Sequence, residues 1–401
     1  MSDLEAFREE TRQWLEASCP PSMRMGTAEG GNQIIADELT WGGAKQKYDN
    51  PEARLWLDRM AEKGWTAPTW SKEYGGGGLD RAHAKVLEQE MRRIRAKPAL
   101  IGFGLTMIGP LLVDHGSEEQ KKRFLPQICR GEVRWCQGYS EPGAGSDLAG
   151  LQTRAVLDGD EWVLNGQKVW TSYADMADWM FILVRSDPDA PKHTGISFML
   201  FDMDDPGVTV RPIPLISGAS PFCETFVENV RVPQDQVVGG VNNGWTMAKA
   251  LLGHERSMIS EAFSERRERN QLVTLARRYL PCDGETVADR VVRDRIAQLT
   301  MDKLALDLTI ARSKEAMKHG QSPGAETSIF KYYATELNKD RHALMVSILG
   351  PQALGWEGEG FEDRELELTR AWLRSRGNSI EGGTSEVQLN IIAKRVLGLP
   401  D

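Results

Sequence analysis

No stretch of this chain is apolar enough to cross a bilayer: nowhere in its 401 residues is there anything near the roughly 18 uninterrupted apolar residues that a spanning helix needs. The opening segment, MSDLEAFREETRQWLEA, is acidic and amphipathic where a secretory leader would set a basic stretch before an apolar one, so the expected location is the cytoplasm. Cysteine is sparse. Cys19, Cys129, Cys136, Cys223 and Cys282 lie far apart with no CxxC pair, which argues against a disulfide framework and against a zinc knuckle, and no metal is expected. Basic charge is also in short supply. The formal net charge of −9 has the wrong sign for nonspecific nucleic-acid binding, although a local basic patch for a small polyanion remains compatible with it. Internal repeats and low-complexity tracts are missing, as is a GxGxxG between a strand and a helix, which argues against a doubly wound nucleotide-binding fold.

What is present has a clear order. Residues 1–132 carry apolar positions three and four apart, as in PEARLWLDRMAEKGW and RAHAKVLEQEMRRIRAK, and read as a helical domain. Between 133 and 240 the texture changes to short apolar or alternating stretches (TRAVLD, EWVLNGQKVW, WMFILVRS, GISFMLFDM, GVTVRPIPL, TFVENVRVP) divided by Gly, Pro and Asp, the pattern of an antiparallel sheet or barrel. From 241 to 401 the helical period returns in long segments such as RVVRDRIAQLTMDKLALDLTIARSKEAMKHG and SIFKYYATELNKDRHALMVSILG, which suggests a bundle. The fold class expected is mainly α with a central β-barrel domain.

The stretch GYSEPGAGSDLAG, Gly138 to Gly150, fixes a tight backbone course whose serines and exposed N–H groups suit a flavin or a phosphate, yet glycine-rich turns between strands are commonly just turns. Its companions make it informative. NGQKVWTS follows at Asn165–Ser172, then VENVRVPQDQVVG, a helix with GHER, and finally IEGGTSEVQLNIIAKRVLG. This ordered set resembles the acyl-CoA dehydrogenase family over almost the whole chain. GWTAPTWSKEYGGGGLD, Gly64 to Asp80, is similar to a motif of the family's N-terminal domain and is read as a turn.

The resemblance implies an N-terminal helical domain, a central β-barrel and a C-terminal four-helix bundle, with FAD between barrel and bundle and completed by a neighbouring subunit. It implies that Tyr139, Ser140, Gly145 and Ser172 lie around the flavin ring, that Trp170 flanks it, and that Ser146 touches both cofactor and the coenzyme A part of the substrate. Thr384 and Glu386 match positions that meet FAD, and Gln352 and Gly355 in GPQALGW match a segment through which a partner subunit reaches the adenine half. Electron-transfer flavoprotein is the implied electron acceptor. A homodimer or homotetramer is the implied assembly, with a hetero-oligomer as the alternative.

Removing a proton α to a thioester needs a carboxylate aimed at that carbon, donors on the carbonyl oxygen, and a hydride acceptor opposite the β carbon. By resemblance the acceptor is the flavin, and one donor is the backbone N–H of Gly382. Many family members place the basic Glu where this chain has Gly382, in Ile380-Glu381-Gly382-Gly383-Thr384; a minority place it before an Arg on a bundle helix, matched here by Glu255-Arg256. Glu255 is therefore the expected base, with Arg256 on the substrate. The family's Arg-x-x-Phe-Gly motif for the FAD pyrophosphate has no match in ERRERNQLVTLARRY. That texture resembles a bacterial subgroup acting on bulky acyl-CoAs, sterol side chains included, and bulky or branched acyl groups are expected. Two alternatives stay open: an acyl-CoA oxidase or flavin monooxygenase on the same fold, and a non-catalytic subunit of a heteromeric dehydrogenase.

Overall fold

The computed structural model describes residues 3–24, 39–251, 268–318, 324, 325 and 327–400. Its contacts divide the chain into two compact units, one made of Met1–Ile213 with Pro221–Glu255, the other of Pro214–Ser220 with Arg256–Asp401.

The first unit opens on helices α1 (Asp3–Ser18), α2 (Pro51–Glu62), α3 (Arg81–Arg93), α4 (Gly109–His115) and α5 (Glu118–Cys129). Their starts are encoded locally. The Asn50 side chain accepts from Glu52 N just ahead of Pro51, Asp80 accepts from Ala82 N and His83 N, and Ser117 with Gln120 forms a reciprocal capping box. Leu15, Trp56, Met60, Trp65 and Leu87 share one core in this region. The glycine-rich segment before α3 is a turn: Gly75 and Gly78 have φ of +86° and +63°, and a Cβ on Gly76 would come 2.3 Å from the Trp70 carbonyl oxygen.

Strands β1 (Trp135–Gly138), β2 (Arg154–Asp158), β3 (Glu161–Ser172), β4 (Trp179–Arg185), β5 (Ile196–Asp202), β6 (Val208–Ile213) and β7 (Phe222–Pro233) form one curled sheet. Its order is β1-β4-β2-β3-β7-β6, with β5 also paired to β4. Each of the six stretches expected as strands contains one, and β1 is an addition. The expected antiparallel pairing needs correction, since β1 and β2 both meet β4 in parallel while the remaining ladders are antiparallel. Parallel partners are joined by crossovers instead of tight turns, so they leave no local sequence mark. Strand pairing closes no ring among the described residues, and the middle region is a half-barrel.

Strands β4 and β5 are apolar almost throughout because both faces of the sheet are covered there. Phe181, Leu183, Phe198 and Leu200 join a cluster with Leu111 of α4, Phe124 of α5 and Met247 of the helical residues 244–251. Met180, Ile182, Val184 and Met199 join a second cluster with Trp162, Leu164, Val227 and Val230.

The second unit is helical, with α6 (Glu268–Tyr279), α7 (Arg290–Lys318), α8 (Thr327–Leu349), α9 (Asp363–Ser375) and α10 (Ser385–Ile391), and a small hairpin of β8 (Cys282–Asp283) and β9 (Thr286–Val287). Helices α6, α7, α9 and α10 all pack against α8, and Leu272, Leu275, Ile296, Leu344, Ile348 and Leu368 share a core. Among the described residues no helix is long and apolar enough to cross a membrane.

Candidate active site

The two motifs SEPGAGSD and KVWTS meet at one end of the sheet. Val169 N donates to Ser140 O at 2.9 Å, which carries the chain leaving β1 alongside the last turns of β3. Beyond Ser140 the backbone makes a tight reversal in which Glu141 N donates to Ala144 O and Ala144 N to Glu141 O, both at 3.0 Å. Pro142 and Gly143 form the tip, Pro with its fixed φ and Gly without a side chain. Nothing lies within 4 Å of where a Cβ on Gly143 or Gly145 would stand, so this face of the backbone is open to a ligand. Ser146 beside it is exposed.

Beneath the open loop lies a buried ion pair. Lys168 Nζ, at 0% side-chain exposure, donates to Glu141 Oε1 at 2.7 Å and to Tyr139 O at 3.1 Å. The Glu141 carboxylate also accepts from Thr153 N at 2.9 Å and Gln152 N at 2.6 Å. One pair thus ties together the residues at 139–141, 152–153 and 168. Burial pulls the Lys168 amine down to about 8 against the opposing pull of Glu141. Burial alone would push the Glu141 carboxyl up, but Lys168 and the N–H donors outweigh it and hold it below the ordinary value.

On the adjoining strand the register of β3 against β7 shifts between Lys168 and Thr171, a bulge that re-aims the side chains. Trp170 sits in it with a left-handed φ of +61°, and its indole is 55% exposed, meeting Phe222 edge-to-face at 6.1 Å. A bulky residue at positive φ is a backbone outlier, and such outliers concentrate at functional sites. Thr171 Oγ1 is fully buried with no hydrogen-bond partner among the described residues. Tyr173 is also left-handed, at φ +52°, and its ring packs on Trp41 at 4.8 Å.

In the second unit, Gly382 and Gly383 have φ of +62° and +90°, so this loop is built for glycine and a Glu at 382 would be strained. Thr384 caps α10 by accepting from Val387 N at 3.2 Å, and Glu386 is exposed in the first turn. The neighbouring Glu381 is already engaged, by Arg374 Nη2 at 2.7 Å and Asn378 Nδ2 at 2.5 Å. Gln352 and Gly355 close the turn after α8, Gly355 N donating to Gln352 O at 3.3 Å, and a Cβ on Gly355 would collide with Phe361. Glu255 and Arg256 lie outside the described residues.

Comparison with known proteins decides the family. Models of the N-terminal, middle and C-terminal domains of acyl-CoA dehydrogenase match residues 1–132, 136–230 and 242–397. The chain belongs to the acyl-CoA dehydrogenase family. It is 36% identical over 402 residues to acyl-CoA dehydrogenase IpdE1 of Mycobacterium tuberculosis (strain ATCC 25618 / H37Rv), with 100% of this chain and 99% of the relative covered. A solved "Tcur3481-Tcur3483 steroid ACAD" superposes with a TM-score of 0.75 at 30% identity, covering 100% of this chain and 98% of the other. The crystal structure of the ChsE4-ChsE5 complex from Mycobacterium tuberculosis gives 0.72 at 29% identity, with 100% and 98% covered. This acyl-CoA dehydrogenase is accordingly an oxidoreductase acting on acyl-CoA and a flavoprotein whose cofactor is FAD.

The buried ion pair of the site escaped the sequence reading. Lys168 and Glu141 sit inside the two motifs, and Lys168 falls on the inward side of β3 with Trp162 and Leu164, a signal that alternation offered.

Proposed function

We propose that this acyl-CoA dehydrogenase removes two hydrogens across the α and β carbons of a coenzyme A thioester, giving the 2-enoyl thioester. The observation that carries the reading is Trp170, a large aromatic ring left exposed at a left-handed position. With the open backbone at Gly143 and Gly145, it fits a flat aromatic cofactor. FAD, when bound, would supply the acceptor for the β hydrogen and its electron pair. The chain's own residues do the rest. Tyr139, Ser140, Gly145 and Ser172 hold the ring and Trp170 flanks it, while Ser146 meets the coenzyme A portion of the substrate. Thr384 and Glu386 contact FAD, and Gln352 and Gly355 of a neighbouring subunit meet its adenine half. Gly382 N–H donates to the thioester oxygen, where charge develops as the α proton leaves. Glu255 takes that proton and Arg256 holds the substrate beside it. The engagement of Glu381 by Arg374 and Asn378 supports this choice of base.

Electrons pass on to an electron-transfer flavoprotein, and the assembly is a dimer or tetramer of like or unlike subunits. The complex of ChsE4 with ChsE5 among its relatives supports the unlike case. The "steroid ACAD" similarity supports bulky or branched acyl groups. The cytoplasm is the proposed location.

Anaerobic mixing of the FAD-loaded enzyme with a panel of acyl-CoAs, followed by flavin absorbance, tests the reading. Glu255→Gln should keep its flavin and lose on the order of a hundredfold to ten-thousandfold in the reduction rate, the usual worth of a positioned base, while Glu381→Gln stays close to wild type. The reverse result would move the base to Glu381.

A further inference from the structure

Arg134 is buried to 7% exposure, and among the described residues its guanidinium has neither a hydrogen-bond acceptor nor an ion-pair partner. Its carbon lies over two aromatic rings, 4.6 Å from the centroid of Trp41 and 4.9 Å from that of Tyr173. The two ring centroids are themselves 4.8 Å apart, so both rings lie on one side of the guanidinium, and cation–π packing leaves the N–H donors on its other side uncommitted.

Among the described residues, the carboxylates that act on it are used elsewhere. Asp178 accepts from Arg134 N at 2.7 Å and from Ala44 N at 3.2 Å, and Asp175 accepts from Cys223 Sγ at 3.7 Å. Neither forms an ion pair with Arg134. Burial draws the guanidinium below its ordinary value, with Tyr173, Asp175 and Asp178 opposing from a distance. A cavity of about 10 Å³, room for one water-sized group, is lined by Arg134 together with Trp41, Gly102, Phe103 and Ile128.

A buried cation with no counter-charge is costly, and native chains pair such charges or reserve them for a ligand. The position says which ligand. Tyr173 directly follows Ser172, so the aromatic pair beside Arg134 adjoins the KVWTS segment of the candidate site. We infer that Arg134 is a specificity-determining residue which binds a carboxylate carried by the acyl part of the substrate, remote from the thioester. A planar fork packed on aromatic rings along one side and open on the other suits the two oxygens of a carboxylate better than any neutral group. The inference rests on the acyl-CoA dehydrogenation proposed above.

The experiment uses the FAD-loaded enzyme and matched pairs of thioesters, an ω-carboxyacyl-CoA and the methyl-terminated acyl-CoA of equal chain length, with a dye acceptor. The wild type should favour the carboxylated member by about ten- to a hundredfold in kcat/KM at one or more lengths. Arg134→Met should abolish that preference without changing turnover of the methyl-terminated member, and Arg134→Lys should retain part of it. No preference for the carboxylate in the wild type, or a preference that survives Arg134→Met, overturns the assignment. Calorimetric binding of the same thioesters to both proteins separates the two proposals. Turnover of neither series defeats the dehydrogenation reading, whereas turnover or binding with equal response to both members defeats only the role of Arg134.

Discussion

Lys168 and Arg134 are both buried cations of the sheet-bearing unit, yet the fold treats them in opposite ways. Lys168 has Glu141 at 2.7 Å and a carbonyl at 3.1 Å, and Glu141 is itself bonded by two backbone N–H groups. Arg134 has two aromatic rings along one side and no acceptor among the described residues. A compensated charge is architecture: the Lys168–Glu141 pair fixes the carbonyl of Tyr139 and the turn that follows, and so sets the main chain where the proposed flavin contacts lie. An uncompensated charge is capacity, since it gains most from what it has yet to bind.

The contrast is broken most forcefully at Lys168. Lys168→Met leaves Glu141 buried without its counter-ion and should lower unfolding stability by about 3–5 kcal/mol, the typical cost of halving a buried pair. Denaturant unfolding measures it. Lys168→Met with Glu141→Gln removes the stranded charge while keeping an acceptor for Thr153 and Gln152, and should recover more than half of the loss. If the double variant is no better than the single one, the pair is not the source of the stability.

A smaller effect separates the two cations by pH. Lys168 is brought from the ordinary 10.5 to about 8 by burial, so it binds its proton less tightly in the folded chain than in the unfolded one. Between about pH 8 and 10.5 the unfolded state holds the extra proton, and wild-type stability should rise with pH relative to Lys168→Met. A difference between the two that stays flat across that window would contradict the lowered value.

Least expected to change is stability at Arg134. Removing a buried charge that has no ion-pair partner among the described residues relieves desolvation while giving up two ring contacts, so Arg134→Met should unfold within about 1 kcal/mol of wild type. A loss as large as that of Lys168→Met would mean that Arg134 is structural after all.

Much of the architecture was legible from period alone. Helices α2, α3, α5, α7 and α8 fall where apolar residues recur every three or four positions, and six strands fall where they alternate or run together. The short β1 was not legible, because WCQG is too brief to show a period. The motifs drew attention to the right end of the sheet, through SEPGAGSD and KVWTS. Alternation along β3 set Lys168 on the inward side and the family resemblance set Trp170 against the flavin, but neither announced the carboxylate that meets Lys168 nor the left-handed backbone that exposes Trp170.

The sequence by itself determined where helices start, through Asn50, Asp80 and Ser117, which stretches become strands, and the chemical types gathered in the motifs. These are matters of neighbours a few residues apart, and local bonding and side-chain period settle them. Only the tertiary structure decided that Glu141 lies under Lys168, 27 residues away, that β1 and β2 run parallel to β4, and that Trp41 and Tyr173 close on Arg134 from positions 132 residues apart. Such pairings depend on which surfaces become buried together, and burial is a property of the whole packed unit, because each charge or ring is assigned its partner only once water has been excluded around it.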